Sequence, residues 1–130
     1  MDTRERVMQL TKLVSEGKAE EAYRTFYAPD ASMQENSDSP RTSVQASIDR
    51  QTQATSGLTV NEFAPRSIVV EGDHAVIEWV LDFTTPDGSH LHAEEIAIQT
   101  WKDGKIVQER FYYDPKQFIP IPKESLIVST

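Results

Sequence analysis

The spacing of apolar residues over the first 57 positions predicts three helices separated by one strand. The first helix is ended by Gly17, the second by Pro29-Asp30, and the third by Gly57. A strand over residues 31–35 follows the second helix. The apolar faces of the first two helices consist of Val7, Leu10, Leu13, Val14, Ala19, Ala22, Tyr23 and Phe26.

From residue 58 onward the pattern changes to an alternation with a period of two, which is typical of β-strands. Pro86-Asp87-Gly88 and Lys102-Asp103-Gly104 interrupt this alternation and predict hairpin turns. The predicted strands cover residues 58–63, 66–71, 75–85, 89–101 and 105–113. Helices followed by an antiparallel meander indicate an α+β domain.

The chain of 130 residues fits one domain, so we expect a single domain over residues 1–130. Prolines near its end predict that residues 115–130 form an extended C-terminal arm.

Three-residue hairpin loops predict the register of the last three strands. A loop at 86–88 places Trp79 opposite Glu95, and a loop at 102–104 places Glu95 opposite Phe111. All odd-numbered residues of these strands then share one face, because side chains alternate along a strand. The apolar members of this predicted core face are Ile77, Trp79, Leu81, Phe83, Leu91, Ala93, Ala97, Trp101, Val107, Phe111 and Tyr113.

Three polar residues interrupt the core face: Glu95, Gln99 and Glu109. The predicted register places the two glutamates diagonally on adjacent strands, about 7–8 Å apart at the backbone. Burial and mutual repulsion would then raise the pKa of one carboxyl group and provide an acid and a base near neutral pH. The alternatives are a buried ion pair with Arg66, Arg24 or another cation, or a carboxylate at a solvated rim.

The even-numbered face mixes apolar and charged residues and predicts a subunit interface. His92 and Glu94 lie together on it, but two ligands are too few for a metal site, so we expect no metal. The face consists of Val76, Glu78, Val80, Asp82, His92, Glu94, Ile96, Ile98, Ile106, Gln108, Arg110 and Tyr112.

The net charge of −8 disfavours nucleic acid and anionic membranes as partners. Most of the acidic excess lies in residues 71–114. The chain has no cysteine, no signal-peptide pattern at its start, and no apolar run approaching the roughly 20 residues that span a bilayer. We therefore expect a cytoplasmic protein.

The order of elements, together with three short motifs, resembles the NTF2-like superfamily over about residues 5–115. The chain looks most like its SnoaL-like and ketosteroid-isomerase-like branch. This resemblance implies a cone-shaped α+β barrel, in which a curved antiparallel sheet wraps around the N-terminal helices, and a homodimer built through the outer sheet face. The motifs are Tyr27-Ala28-Pro29-Asp30-Ala31, Asp103-Gly104-Lys105-Ile106-Val107 and Tyr112-Tyr113-Asp114-Pro115.

The resemblance also implies candidate proton carriers. Glu35 falls where the steroid isomerases carry their carboxylate base, and Glu95 and Glu109 are the nearest equivalents of the acid/base residue of the polyketide cyclases. The acid that donates a hydrogen bond in steroid isomerases falls near Ala97, and the helix-1 tyrosine near Leu10 or Thr11, so this chain departs from that pattern.

We therefore expect a pocket that binds a small, largely apolar organic molecule without a cofactor. If the protein is an enzyme, acid/base isomerisation, cyclisation, dehydration or hydrolysis fits best, with Glu35, Glu95 and Glu109 as catalytic residues. The alternative is a non-catalytic module that binds a ligand or a protein. The expected ligand contacts are Met33, Trp79, Gln99, Phe111 and Tyr113.

Overall fold

The computed structural model describes residues 1–124. The helices are α1 (Thr3–Ser15), α2 (Ala19–Phe26) and α3 (Val44–Thr55). The strands are β1 (Tyr27–Glu35), β2 (Thr59–Glu71), β3 (His74–Thr84), β4 (His90–Lys102) and β5 (Lys105–Tyr112). A 3-10 helix, Pro115–Phe118, follows the last strand.

Helix α2 ends earlier, and β1 begins earlier, than the sequence pattern predicts. The helix ends at Phe26 and the strand starts at Tyr27, four residues before the predicted start at Ala31. The reason is Pro29, which lacks a backbone N–H and disfavours helical geometry in the preceding residue. This shift places Tyr27 in the strand, and its side chain is buried.

The strands form one open sheet in the order β1-β5-β4-β3-β2. The predicted α+β class with a curved sheet is confirmed, but the sheet is mixed, because β1 runs parallel to β5. The long connection through α3 and three strands allows β1 to reach β5 in either direction, whereas the hairpins between the other strands require antiparallel pairing.

Strand β2 is continuous where two strands, 58–63 and 66–71, were expected. Its pairing with β3 shifts register twice, once between Val60 and Glu62 and once between Pro65 and Ser67. Because β2 lies at the edge of the sheet, Pro65 can interrupt the ladder without ending the strand.

The register between β3 and β4 is as predicted: Trp79 pairs with Glu95 and Leu81 with Ala93. The predicted register between β4 and β5 is wrong by two residues, since Gln99 pairs with Glu109 and not with Val107. Two local features produce the difference, a shorter turn and a bulge.

The turn between β4 and β5 contains two residues, Asp103 and Gly104, with φ of 53° and 79°. Two successive positive φ values define the turn that matches the twist of a two-residue hairpin. A bulge between the pairs of Thr100 and Trp101 then leaves Val107 as an extra residue. As a result Ile106, expected on the outer face, is fully buried, and Val107 is only partly buried.

The core lies between the sheet and the three helices. Helix α1 packs against β2, whereas α2 and α3 pack against β1. Within residues 1–124, no helix is long and apolar enough to cross a membrane. The predicted C-terminal arm begins with the 3-10 helix, and Ile121 then forms a bridge with His90; residues 125–130 of this arm lie outside the described residues.

The turn generates a test of the β4–β5 register. Gly104→Ala should lower the free energy of unfolding by about 1–2 kcal/mol, because alanine disfavours a φ of 79° and its Cβ would lie 3.2 Å from the Arg6 guanidinium. Asp103→Gly, at the other position of the turn, should not destabilise the protein. Urea unfolding measures both values. Equal losses would contradict the two-residue turn.

Candidate active site

A cavity of about 670 Å³ lies between the helices and the inner face of the sheet. Its wall combines hydrocarbon with a set of ionisable side chains from α2, α3, three of the strands, the loop before α3 and the residue after β5. The apolar part of the wall includes Leu58, Phe63, Trp79, Leu81, Phe83, Leu91, Phe111 and Phe118. The ionisable part consists of Tyr23, Tyr27, Glu35, Arg41, Arg50, Glu95, Glu109 and Tyr113.

Glu109 is 2% exposed and is held by two neutral donors. The Tyr27 hydroxyl donates to its Oε1, and Gln99 Nε2 donates to its Oε2 at 2.7 Å. Trp101 Nε1 donates to Gln99 Oε1 at 3.0 Å, which fixes the orientation of the amide. Burial raises the pKa of Glu109 to about 7, while the hydrogen bonds from Tyr27 and Gln99 favour the ionised form.

Glu35, at the end of β1, is buried and paired with two arginines. Arg41 Nη2 donates to Glu35 Oε2 at 2.9 Å, and Arg50 Nη1 lies 3.4 Å from Oε1. The Tyr113 hydroxyl donates to Oε1 at 3.0 Å. Arg41 is held in turn by Ser47, whose Oγ accepts from Nε at 3.1 Å. Two positive charges, those of Arg41 and Arg50, therefore lie next to the single negative charge of Glu35.

Glu95 differs from the other two carboxyl groups because it makes no hydrogen bond or ion pair with any residue in 1–124. Its partly buried side chain forms part of the cavity wall. Burial raises the pKa of Glu95 to about 8; the carboxylates of Glu35 and Glu109 also raise it, and Arg50 lowers it. The group is therefore mostly protonated at neutral pH.

The two strand glutamates are farther apart than the sequence analysis expected. Glu109 lies opposite Gln99, four residues along β4 from Glu95 and so about 13 Å away along the strand. The predicted diagonal contact was wrong because of the shorter turn between β4 and β5 and the bulge at Val107. The alternative of an ion pair with Arg66 was also wrong, since Arg66 contacts Glu78 and Glu94.

Tyr23 of α2 places a second unpartnered polar group in the cavity. Its hydroxyl takes part in no hydrogen bond within the described part of the chain, and its ring lies 4.9 Å from that of Tyr27. Burial raises the pKa of Tyr23, and the nearby Glu109 raises it further. The hydroxyl therefore keeps its proton and can donate it in a hydrogen bond to a molecule in the cavity.

Six of the eight predicted site residues line the cavity: Glu35, Trp79, Glu95, Phe111, Glu109 and Tyr113. Met33 and Gln99 were predicted as ligand contacts but are fully buried and do not line it. Met33 pairs with Glu109 across β1 and β5, and Gln99 uses its side-chain amide to hold the Glu109 carboxyl group.

Four ionisable residues of the cavity were not predicted as site residues: Tyr23, Tyr27, Arg41 and Arg50. Both tyrosines had a signal in the sequence, because a phenol on a buried face requires a polar partner. No signal in the sequence indicated the two arginines. Arg41, for example, belongs to the loop before α3, and only the folding of the chain brings it to Glu35.

The outer face holds a separate polar cluster. Asp82 Oδ1 lies 2.9 Å from His90 Nε2, and Asp82 Oδ2 lies 2.7 Å from His92 Nδ1. Arg66 joins Glu94, at 2.7 Å, to Glu78, at 3.0 Å. Across residues 1–124, no three histidine or carboxylate side chains are grouped as metal ligands.

Three helices packed on an open, curved sheet, with a cavity between the layers, define an NTF2-like α+β protein. Within this class the chain belongs to the SnoaL-like domain family, whose model matches residues 7–109. No curated protein has significant sequence similarity to the chain.

Solved structures agree with this assignment. A candidate SnoaL-like polyketide cyclase from Mesorhizobium loti is 25% identical, with a TM-score of 0.74 over 87% of this chain and 100% of the other. IdmH, a candidate polyketide cyclase from Streptomyces antibioticus, is 18% identical, with a TM-score of 0.71 over 89% and 94%. An NTF2-like protein of unknown function from Burkholderia pseudomallei is 12% identical, with a TM-score of 0.75 over 89% and 93%. The last two support the fold alone.

The raised pKa of Glu95 predicts how stability depends on pH. A folded-state pKa of about 8 lies above the ordinary value of 4.5, so its contribution to stability is lost as pH rises from about 4.5 to about 8. Glu95→Gln should therefore raise the free energy of unfolding at pH 8, on the order of 1–3 kcal/mol, and change it little at pH 4.

The measurement is urea unfolding across this pH range, with Glu62→Gln on the exposed side of β2 as the control. The control should run parallel to the wild type at every pH. A Glu95→Gln curve that also runs parallel would contradict the raised pKa.

Proposed function

We propose that this protein is a cofactor-independent acid/base enzyme that acts on a largely apolar organic molecule held in the cavity. The observation that carries the proposal is Glu95, a carboxyl group on the cavity wall that has no partner in residues 1–124 and a pKa of about 8. A group with a pKa near the working pH exchanges protons most effectively in catalysis. Isomerisation, aldol-type cyclisation, dehydration and hydrolysis all require such a group.

The three carboxyl groups then have different roles. Glu95 transfers the proton, since it alone has no donor attached within the described residues. Glu35 and Glu109 already accept hydrogen bonds on both oxygens, and they act by keeping the pKa of Glu95 high. Their negative charges disfavour a third negative charge in the same cavity.

Tyr23 supplies the hydrogen-bond donor that complements proton transfer by Glu95. Removing a proton next to a carbonyl group places negative charge on the carbonyl oxygen, and a positioned hydroxyl donor stabilises that charge. The Tyr23 hydroxyl remains protonated and faces the cavity without a partner in residues 1–124. In this role it replaces the helix-1 tyrosine of the steroid isomerases, which this chain lacks.

A second candidate function is ligand binding without catalysis. The observation that favours it is the saturation of Glu35 and Glu109 by donors of the protein itself, which makes most of the polar wall structural. On this reading Glu95 only orients a bound molecule. The two candidates differ in whether a bound molecule loses a proton.

A generic probe of proton transfer distinguishes the enzyme from the non-catalytic binding protein. The apolar compound 5-nitrobenzisoxazole loses its ring C–H proton to a base, its N–O bond then breaks, and the coloured cyanophenolate product is followed by absorbance. We expect the rate to rise with pH around the pKa of Glu95, since only ionised Glu95 accepts the proton. Glu95→Gln should lower kcat/KM by 100-fold or more, and Tyr23→Phe by tenfold or more.

Glu62→Gln is again the control and should keep the wild-type rate. Saturable binding of the probe with no rate above that of buffer would favour the binding protein. A rate that survives in Glu95→Gln would remove Glu95 from the proposal.

We also propose that the outer face of the sheet packs against a second copy of the chain. Its apolar side chains are accessible, with Ile98 and Tyr112 each 40% exposed, and Ile96 lies next to them. Charged groups of the face already have contacts within the chain: Arg66 pairs with Glu94, and Arg110 lies over the ring of Tyr112. Burying paired charges costs less than burying free ones, so this face can be covered by a partner.

Ile98→Arg should convert a dimer into a monomer, because it adds an unpaired charge at the centre of the proposed interface. Light scattering coupled to size exclusion measures the mass. Met8→Arg, on the exposed side of α1 and 51% exposed, is the matched control and should remain dimeric. An Ile98→Arg protein that stays dimeric would contradict the outer-face interface, as would a monomeric wild type.

A further inference from the structure

The cavity contains one cation more than its ion pairs require. Glu35 accepts hydrogen bonds from Arg41 on Oε2 and from Tyr113 on Oε1, so both of its oxygens are in use. Arg50 approaches the same carboxylate only to 3.4 Å, and its remaining polar neighbour among residues 1–124 is the Tyr113 hydroxyl. Its side chain is 50% exposed and lines the cavity. Most of its five N–H donors are therefore available to a ligand.

The charge of the cavity favours an anion at this position. Arg41 and Arg50 carry two positive charges, and Glu35 balances one of them. Glu95, the carboxyl group without a partner in residues 1–124, is mostly protonated at neutral pH because burial disfavours its charged form. The end of the cavity around Arg50 is therefore positively charged, although the whole protein has a net charge of −8.

The surroundings of Arg50 add an aromatic surface. Tyr113 shares Glu35 Oε1 with Arg50, and its ring lies 5.0 Å from the ring of Phe118, which also lines the cavity. A guanidinium group with spare donors beside aromatic rings suits a planar acidic group attached to an apolar body.

We propose that the molecule bound in the cavity carries an oxyanion, such as a carboxylate, which docks on Arg50 while its apolar body packs against Tyr113, Phe118 and Trp79. This inference rests on the proposed function and narrows its substrate class from apolar molecules to apolar acids. Arg50 is a binding residue in this scheme and takes no part in proton transfer.

Docking at Arg50 also affects the proton carrier. Arg50 lowers the pKa of Glu95 through its positive charge, and a bound anion offsets that charge. Glu95 in the complex therefore holds its proton more tightly than in the free protein. An apolar acid bound at pH 8 is expected to bring proton uptake with it, which links substrate charge to the acid form of Glu95.

Two fluorescent probes of the same skeleton test the docking site. The anionic probe is 8-anilinonaphthalene-1-sulfonate, and the neutral probe is N-phenyl-1-naphthylamine, which lacks the sulfonate. Arg50→Gln should weaken binding of the anionic probe about tenfold and change that of the neutral probe less than twofold. Arg50→Lys should lie between wild type and Arg50→Gln, because it keeps the charge but loses the planar group.

Arg66→Gln is the matched control, since Arg66 is similarly exposed and also pairs with glutamates, but on the outer face. It should leave both affinities unchanged. Equal loss of both probes in Arg50→Gln, or no loss of the anionic probe, would overturn the docking site. The neutral probe separates the two proposals: if it does not bind the wild type, the apolar cavity site itself fails, and if it binds while Arg50 has no effect, only the anion site fails.

Discussion

Burial of the Glu109 carboxyl group is the constraint on which the arrangement of the sheet depends. Removing an ionised carboxylate from water costs several kcal/mol unless donors replace the lost hydration. Here Tyr27 and Gln99 supply the donors, and Trp101 holds the Gln99 amide in the required orientation. These residues belong to β1, β4 and β5, so the hydrogen bonds require all three strands to keep one register. Any slip of one residue would leave the carboxyl group without donors.

The same cost explains how the cavity can hold three carboxyl groups. Glu35 is compensated by charge, through two arginines, and Glu109 by neutral hydrogen bonds. Glu95 has neither in residues 1–124, and its pKa rises instead. A side chain that is costly to keep ionised in the folded state is a natural place for proton transfer, since catalytic groups often reduce stability. The proposed chemistry therefore depends on the carboxyl group that the protein leaves uncompensated.

Much of the fold could be predicted from the sequence, and each feature that could not be predicted has an identifiable physical cause. The α+β class follows from the change of period near residue 58, and the β3–β4 register follows from the loop at 86–88. The β4–β5 register could not be obtained in this way, because two turn geometries fit Lys102-Asp103-Gly104-Lys105 and nothing local marks Val107 as a bulge. The parallel pairing of β1 with β5 joins segments about 75 residues apart, so no local pattern indicates it.

The sequence by itself determined that Glu95, Gln99 and Glu109 face inward, because side chains alternate with a period of two and the bulge at Val107 returns Glu109 to the same face as Gln99. The alternation therefore identified Glu95 and Glu109 as inward carboxyl groups, and the resemblance to the steroid isomerases pointed to Glu35. Only the tertiary structure decided the partner of each one. Arg41, Arg50, Tyr23 and Tyr27 reach the cavity from a loop, a helix and a helix–strand boundary, and their distances to the sheet depend on packing rather than on spacing along the chain. Since the pKa of a carboxyl group depends on such neighbours, the difference between a structural and a reactive glutamate arises at that level.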